Sequence, residues 1–239
     1  MKYLNYANRI KSNRTPETLI SLLDLSPSMD DNDWPPSRKA AAIKANIELI
    51  EAKAKHYPQD RVGLIGFSRR AKVLHDPIPL SNGTDSLRNA LKDTDGGLST
   101  NFTVALELAE KCLFETQTIP RSNFISRMIA ELLYETDEQN VTYSSPNRTP
   151  ADTVRRIVLL SDGEHNTGPC PLKVASRLKS AGVVIDCIGI GGSPASIDEE
   201  LLKKIASQNP DGSIRYCFIG DQQKLLRKYQ SLARHIRPA

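Results

Sequence analysis

An aspartate and two serines follow one another at two-residue spacing where an apolar run ends. The run is 19–25, and the polar side chains are Asp24, Ser26 and Ser28 of the segment D-L-S-P-S. A mostly apolar run of this length is typical of a parallel strand that is buried on both faces. Carboxylate and hydroxyl oxygens are the ligands that Mg²⁺ and Mn²⁺ prefer over sulfur or imidazole. The motif alone leaves two interpretations: a divalent-cation site, or a turn in which these side chains only satisfy backbone amides.

Two further segments carry oxygen ligands of the same kind. Asp162 directly follows the predicted buried strand 155–161, R-R-I-V-L-L-S, and Thr100 lies in the loop G-G-L-S-T that leads into a predicted helix. Open parallel sheets bind ligands outside the carboxyl ends of their strands, so we expect Asp24, Asp162 and the Thr100 loop to meet at one edge. Thr100 has a second interpretation as a helix cap. Capping does not, however, explain why three separate loops bring oxygens to the same edge.

Three more aspartates, Asp30, Asp31 and Asp33, crowd the loop after Ser28. Acidic residues are favoured where a helix begins, because the helix dipole is positive there. Their carboxylates are also suitable ligands for a second cation. We favour the helix-start interpretation, since a strongly helical pattern begins at residue 37.

The elements that position these residues alternate along the chain between apolar strands and amphipathic helices. After the first strand, the pattern predicts strands at 60–68, 71–75, 155–161, 183–190 and 213–219, and helices at 37–56, 85–92, 171–181, 198–207 and 222–236, with another from about residue 103. The short link at residues 69 and 70 predicts an antiparallel hairpin at the sheet edge. The alternation predicts an α/β fold with an open, doubly wound, mostly parallel sheet, one short antiparallel edge strand, and helices on both faces.

The chain is predicted to contain a polar tail at 1–16 and one domain at 17–239. Residues 116–152 fit the alternation least well, and we interpret them as an inserted helix and loop on the surface. An apolar stripe at helical spacing within this insertion either docks on the domain itself or forms a partner surface. Its residues are Ile125, Met128, Ile129, Leu132 and Leu133.

Composition and charge narrow the classes of function. The chain has 239 residues and a formal net charge of +4, and its basic residues are scattered rather than massed in one tract. This distribution does not favour nucleic-acid binding. No stretch is long enough for a transmembrane helix, the start lacks the apolar core of a secretory signal, and four distant cysteines form no C-x-x-C pair. We therefore expect a cytoplasmic protein with reduced thiols that does not insert into membranes.

Catalytic interpretations find less support in the sequence. Many phosphotransferases with an aspartate at a strand end have a second carboxylate two residues later, where this chain has Ser26. The chain has no G-x-S-x-G elbow and no P-loop lysine motif. His165 lies close to Asp162 in sequence, but no nucleophile is evident beside it. We expect that the protein is not an enzyme, with a Mg²⁺-dependent, phosphoesterase-like hydrolase as the alternative.

The segments D-L-S-P-S, G-G-L-S-T-N-F-T-V-A-L and L-L-S-D-G-E resemble, in order and spacing, those of a von Willebrand factor A domain over about residues 17–237. In that family the segments form a metal-ion-dependent adhesion site (MIDAS) on a Rossmann-like fold. By position, the resemblance implies five ligands of Mg²⁺ or Mn²⁺, some acting through water: Asp24, Ser26, Ser28, Thr100 and Asp162.

The sequence departs from the family pattern in two places near these ligands. Leu98 and Ser99 lengthen the usual Gly-Gly-Thr approach, so that Ser99 competes with Thr100 as a candidate ligand. Ser161 stands where many members have threonine, and we expect it to contact no proposed ligand.

The resemblance implies a metal-ion-dependent protein-binding module, in which the cation coordinates a Glu or Asp of a partner protein. Intracellular members often act with AAA+ ATPases or in stress-response assemblies, which makes these the expected partner classes. In the family, shifts of the last helix couple to ligand binding, and 222–236 is the corresponding segment here. A scaffold with a vestigial metal site is a further alternative.

Overall fold

The computed structural model describes residues 15–92, 94, 96–114, 153–194 and 197–234. The strands in this part of the chain are β1 (Glu17–Asp24), β2 (Arg61–Phe67), β3 (Ala71–Pro79), β4 (Val154–Ser161), β5 (Val184–Ile190) and β6 (Tyr216–Ile219). The α-helices are α1 (Arg38–His56), α2 (Leu80–Ala90), α3 (Phe102–Phe114), α4 (Leu172–Ser180), α5 (Glu199–Ile205) and α6 (Gln222–Arg234). A short 3₁₀ helix, Pro27–Asp30, follows β1.

The strands form one sheet in the order β3-β2-β1-β4-β5-β6. Every neighbouring pair is parallel except β2 and β3, which are antiparallel. The central strand β1 lies between β2 and β4, where the chain changes the direction in which it adds strands. Ligands bind at such a switch point in open α/β sheets. The fold class predicted from the sequence is confirmed, including the antiparallel edge strand.

Two apolar layers cover the sheet. The first layer contains buried residues of α1, α2 and α6, and the second contains those of α3, α4 and α5. Side chains of β1 alternate between them, with Leu19 and Leu23 in the first layer and Ile20 and Leu22 in the second. Burial on both faces explains why β1 is an almost continuous apolar run.

Three element boundaries differ by three or more residues from those predicted. Helix α2 begins at Leu80 rather than at residue 85, although Asn82 and Gly83 are poor helix formers. A methyl group added at Gly83 would lie 2.4 Å from the Cγ2 atom of Ile78, so tertiary packing places the helix there despite its propensity. Strand β3 continues to Pro79, because an edge strand tolerates proline. Strand β6 begins only at Tyr216.

Several sequence-based predictions lie outside the described residues. They are the tail up to residue 14, the whole 116–152 insertion with its apolar stripe, and the end of the last helix. None of the helices in the described residues contains a stretch long and apolar enough to cross a bilayer.

We call the edge at the carboxyl ends of the parallel strands the carboxyl rim, and the opposite edge the amino rim. Buried ion pairs close the amino rim. The Lys53 Nζ atom lies 2.5 Å from Glu17 Oε2 and 2.8 Å from Asp60 Oδ2. Beside it, the Arg156 Nε donates to Asp186 Oδ2 at 2.6 Å. Each acid in this network therefore contacts a basic side chain, as buried carboxylates require.

Candidate metal centre

Strand β1 carries Asp24 to the carboxyl rim, where its side chain is completely buried. The Ser26 backbone N–H donates to Asp24 Oδ1 at 2.8 Å, and the Ser161 hydroxyl donates to Asp24 Oδ2 at 2.5 Å. The first of these bonds is the turn contact that the simpler interpretation expected of Asp24. The two hydrogen bonds hold the carboxylate in a fixed orientation, but neither comes from a charged group.

The two serine hydroxyls link Asp24's loop to the loop after β4. Pro27 starts the 3₁₀ helix, which turns the chain so that Ser26 Oγ and Ser28 Oγ lie 3.2 Å apart. The Ser28 hydroxyl then donates to Asp162 Oδ1 at 2.8 Å. These hydroxyls contact each other and a second acid rather than turn amides. The structure therefore brings together Asp24, Ser26, Ser28 and Asp162 from two loops.

The third loop places Thr100 beside these residues. The Thr100 N–H donates to Asn166 Oδ1 at 2.9 Å, and the Asn166 N–H donates to Thr100 O at 3.1 Å. A methyl group added at Gly163 would lie 3.6 Å from Thr100 Oγ1 and 3.8 Å from Ser28 Oγ. Both hydroxyls thus lie on the same side of Gly163. Thr100 is the better-supported candidate over Ser99, because its side chain is buried at this position.

Thr100 does not act as the cap of α3. The cap is Asn101, whose Oδ1 accepts hydrogen bonds from the backbone N–H groups of Thr103 at 3.1 Å and Val104 at 3.3 Å. Within the described residues, the Thr100 hydroxyl makes no hydrogen bond. It is therefore available to a ligand.

Burial raises the pKa of both carboxyl groups. The pKa of Asp24 rises to about 6, because desolvation outweighs the hydrogen bonds from Ser161 and Ser26. The pKa of Asp162 is also raised by burial, against the opposing effect of Arg38 and Ser28. Desolvation disfavours the ionised form of a carboxyl group, and a bound cation would reverse that preference.

Arg38 is a site residue that the sequence did not reveal. Its Nη1 donates to Asp162 Oδ2 at 2.8 Å, while its Nε and Nη2 contact the two oxygens of Asp33 at 2.8 and 2.7 Å. Asp31 also lies 3.5 Å from this guanidinium, and Lys39 pairs with Asp30. The three acids after Ser28 therefore contact basic side chains in the first turn of α1, which contains no acidic residue itself and has Ser37 as its N-cap.

The donor set suits a divalent cation that keeps part of its water shell. In the described part of the chain, no three acidic, histidine or cysteine side chains converge as metal ligands. A cation at the carboxyl rim would thus depend on two carboxylates, on three hydroxyls and on water. Mg²⁺ commonly binds through one or two carboxylates and retains several waters, so these residues fit it.

The structure corrects the expectation for Ser161 and shows what His165 contacts. Ser161 was expected to contact no proposed ligand, but its hydroxyl donates to Asp24. Leu23 pairs with Leu160 in the parallel register of β1 and β4, so the next residues, Asp24 and Ser161, lie side by side at the strand ends, which explains the contact. His165 Nδ1 accepts from the Phe102 N–H at 3.1 Å, so its Nε2 donates to Pro169 O at 3.0 Å. With both ring nitrogens engaged, His165 organises a loop and is poorly placed as a general base.

Family comparison agrees with this arrangement of loops and strands. A model of the von Willebrand factor type A domain matches residues 19–165, and a second model with the same description matches residues 130–230. The chain belongs to the von Willebrand factor type A domain family. Domains of this family are generally protein-interaction modules rather than enzymes.

Solved structures share the fold at low sequence identity. Proximal thread matrix protein 1 from the mussel byssus, with a zinc-occupied MIDAS motif, is 16% identical, with a TM-score of 0.62, over 92% of this chain and 47% of its own. A von Willebrand factor type A protein from Catenulispora acidiphila is 16% identical, with a TM-score of 0.62, over 92% and 42%. The protein BatB from Bacteroides thetaiotaomicron is 17% identical, with a TM-score of 0.61, over 92% and 100%. This chain thus spans under half of the first two proteins, and the likeness shows the fold alone.

Proposed function

We propose that residues 17–239 form a metal-ion-dependent protein-binding module. Its site is a MIDAS that holds Mg²⁺ or Mn²⁺ through Asp24, Ser26, Ser28, Thr100 and Asp162. The observation that carries this proposal is the hydrogen-bonded chain from Ser161 through Asp24, Ser26 and Ser28 to Asp162, with the Thr100 hydroxyl beside it. Three loops supply hard oxygen ligands to one position at the switch point of the sheet.

The charges at the site suggest how a partner is recognised. Asp24 and Asp162 together balance the charge of one divalent cation, which when bound acts as the anchor for a carboxylate of the partner. Ser28 holds Asp162 in place, Ser161 orients Asp24, and Arg38 partly neutralises Asp162 from the outer side. The bound cation would thus offer a carboxylate of the partner a coordination position beside these oxygens.

The zinc-occupied MIDAS of the mussel byssus protein supports metal binding in the family, and we extend this to Mg²⁺ or Mn²⁺ here. The expected partners are proteins that supply a Glu or Asp, with AAA+ ATPases and stress-response assemblies as candidate classes. We place the protein in the cytoplasm, consistent with the free thiols of Cys112, Cys170, Cys187 and Cys217.

A hydrolase is the less favoured alternative. His165, the candidate base near Asp162, has both ring nitrogens in hydrogen bonds. The competing non-catalytic function is that of a scaffold whose metal site is vestigial. A measurement of metal binding distinguishes such a scaffold from a working MIDAS.

Titration calorimetry with Mg²⁺ and Mn²⁺ tests the proposal. Asp24→Ala removes one formal charge and one ligand, so divalent binding should be lost while the fold survives. The matched control is Asp85→Ala, which removes an exposed acid of α2. The wild type and the control should bind one cation with the same affinity. Unchanged affinity in Asp24→Ala would refute the site.

A further inference from the structure

The lengthened loop before Thr100 presents an apolar side chain to solvent. Leu98 is 91% exposed, whereas most large apolar side chains of the described residues are buried. The loop is fixed on both sides, because the Gly97 N–H donates to Leu25 O at 3.0 Å and the Asn101 N–H donates to Ser68 O at 2.9 Å. A rigid loop that exposes leucine beside a ligand site is a feature of interaction surfaces.

A small pocket lies next to this loop. It has a volume of about 180 Å³, and Leu25, Phe67 and Leu74 contribute its apolar lining. Leu25 directly follows Asp24, and Ser68, which the Gly97–Asn101 loop contacts, also lines the pocket. Pockets for drug-sized ligands measure roughly 300–1,000 Å³, so this one suits a single side chain.

The pocket carries positive charge. Arg70 and Lys72 belong to its lining, which contains no acidic residue. Arg69 precedes them at the turn between β2 and β3, and all three are exposed. In the part of the chain that the structure describes, none of the three makes an ion pair. Across the site, by contrast, Arg38 and Lys39 already neutralise the acids of the loop after Ser28.

These observations point to a second recognition position, which rests on the proposed metal-dependent function. The geometry points to an extended acidic segment of a partner protein, whose first acid reaches the metal and whose neighbouring apolar residue enters this pocket. A second acid of the segment pairs with Arg70 and Lys72, and Leu98 packs on its apolar side. Leu25, which lines the pocket, directly follows Asp24, and an extended chain advances roughly 3.3 Å per residue, so we expect the apolar residue within about three positions of the first acid.

The basic side chains and the apolar pocket contribute to binding in different ways. Arginine and lysine clusters recognise acidic motifs and mainly set specificity and association rate. A buried apolar anchor supplies affinity at the centre of such contacts. Together they would distinguish this partner from other acidic segments that the metal alone would accept.

A peptide-display selection tests this inference. Random nonapeptides are selected on the wild-type protein in Mg²⁺, and the consensus peptide is then synthesised and its affinity measured by fluorescence anisotropy. We expect an Asp or Glu, an apolar residue within three positions, and a second acid. The variant Arg70→Glu/Lys72→Glu should weaken the consensus peptide at least tenfold, and Leu98→Ser should weaken it severalfold.

Controls separate the pocket from the metal site. Lys111→Glu/Lys173→Glu makes the same charge change at exposed lysines of α3 and α4 and should leave the affinity unchanged. The Mg²⁺ affinity of Arg70→Glu/Lys72→Glu, measured by calorimetry, should stay within twofold of the wild type. Replacement of the apolar residue of the consensus peptide by Gly should reproduce part of the loss of affinity.

The possible results have distinct meanings. Selected peptides that share a single acid but no apolar residue or second acid near it overturn the second recognition position. Equal peptide affinity of the wild type and Arg70→Glu/Lys72→Glu also overturns it. In both cases the metal-dependent function stands. A selection that enriches no binding peptide also overturns it. Binding that survives EDTA and Asp24→Ala, yet is lost on charge reversal at the pocket, supports the pocket and contradicts the proposed function.

Discussion

The two rims of the sheet differ in how completely their buried acids are paired with basic side chains. At the amino rim, Glu17 and Asp60 both contact the ammonium group of Lys53, which is completely buried. At the carboxyl rim, Asp24 is equally buried but receives only a hydroxyl and a backbone N–H. Among the described residues, a basic side chain contacts each of these acids of the amino rim and also Asp162, but none contacts Asp24.

The difference separates a structural network from a ligand site. Buried charges are costly unless paired, so the amino rim is internally balanced. Burial raises the pKa of Asp24 at the carboxyl rim, where no basic side chain of the described residues balances its negative charge. Perturbed groups of this kind concentrate at functional sites. We infer that a divalent cation supplies the missing charge.

The largest expected effect is at the amino rim. Lys53→Met should lower the free energy of unfolding by about 3–5 kcal/mol, because the carboxylates of Glu17 and Asp60 would lose their shared cation. Urea denaturation in EDTA measures the change, with Lys55→Met, an exposed lysine of the same helix, as the control. A loss below about 1 kcal/mol would show that the network is not internally balanced as described.

A smaller effect concerns the pH dependence of metal binding at the carboxyl rim. A metal binds the ionised carboxylate, and burial raises the pKa of Asp24 to about 6. Lowering the pH from about 7.5 to 5 should therefore reduce Mn²⁺ affinity about tenfold, with half of the sites protonated near the Asp24 pKa. Calorimetry across this range checks the prediction. A constant affinity down to about pH 5 would mean that Asp24 is not a ligand.

The smallest predicted effect concerns Arg38, the only basic side chain that contacts a proposed ligand among the described residues. Arg38→Met removes a positive charge 2.8 Å from Asp162, so Mg²⁺ affinity should rise roughly threefold. Lys39→Met, at the next position, is the control because Lys39 pairs with the exposed Asp30. A lower Mg²⁺ affinity in Arg38→Met would instead show that Arg38 positions Asp162 for the metal.

Most of the fold followed from the sequence, because apolar runs and helical stripes record burial directly. The wrong boundaries arose where packing outweighs local preference. Gly83 lies within α2 because its lack of a side chain permits close contact with Ile78. The predicted strand 71–75 stopped before Pro77 and Pro79, but β3 continues to Pro79 because it lies at the sheet edge, where proline is tolerated.

The sequence identified the five candidate ligands but not what holds them. Ser161 was misjudged because its contact with Asp24 depends on the register of β1 and β4. Arg38 lies 124 positions from Asp162, and no local pattern signals that pair. Asn101 took the capping position expected of Thr100, since the two residues are adjacent and both are able to cap. Long-range partners of a site are thus the part that sequence reasoning misses.

The most direct test compares Asp24→Asn with the wild type in EDTA and in Mg²⁺. Because burial raises the Asp24 pKa to about 6, its stabilising contribution is present below pH of about 4 and is lost as the pH rises through 6. At about pH 7.5 in EDTA, the uncharged variant should therefore be more stable than the wild type by about 3 kcal/mol. It keeps the shape of the side chain and one carbonyl oxygen.

Saturating Mg²⁺ should reverse that order. At a thousandfold excess of Mg²⁺ over its Kd, the wild type should gain about 4.1 kcal/mol, whereas Asp24→Asn should gain almost nothing. Urea denaturation of both proteins in both buffers measures the four free energies of unfolding. The account predicts that the stability order crosses between EDTA and Mg²⁺. A wild type that is the more stable protein in both buffers, or that does not respond to Mg²⁺, would contradict a cation site at the carboxyl rim.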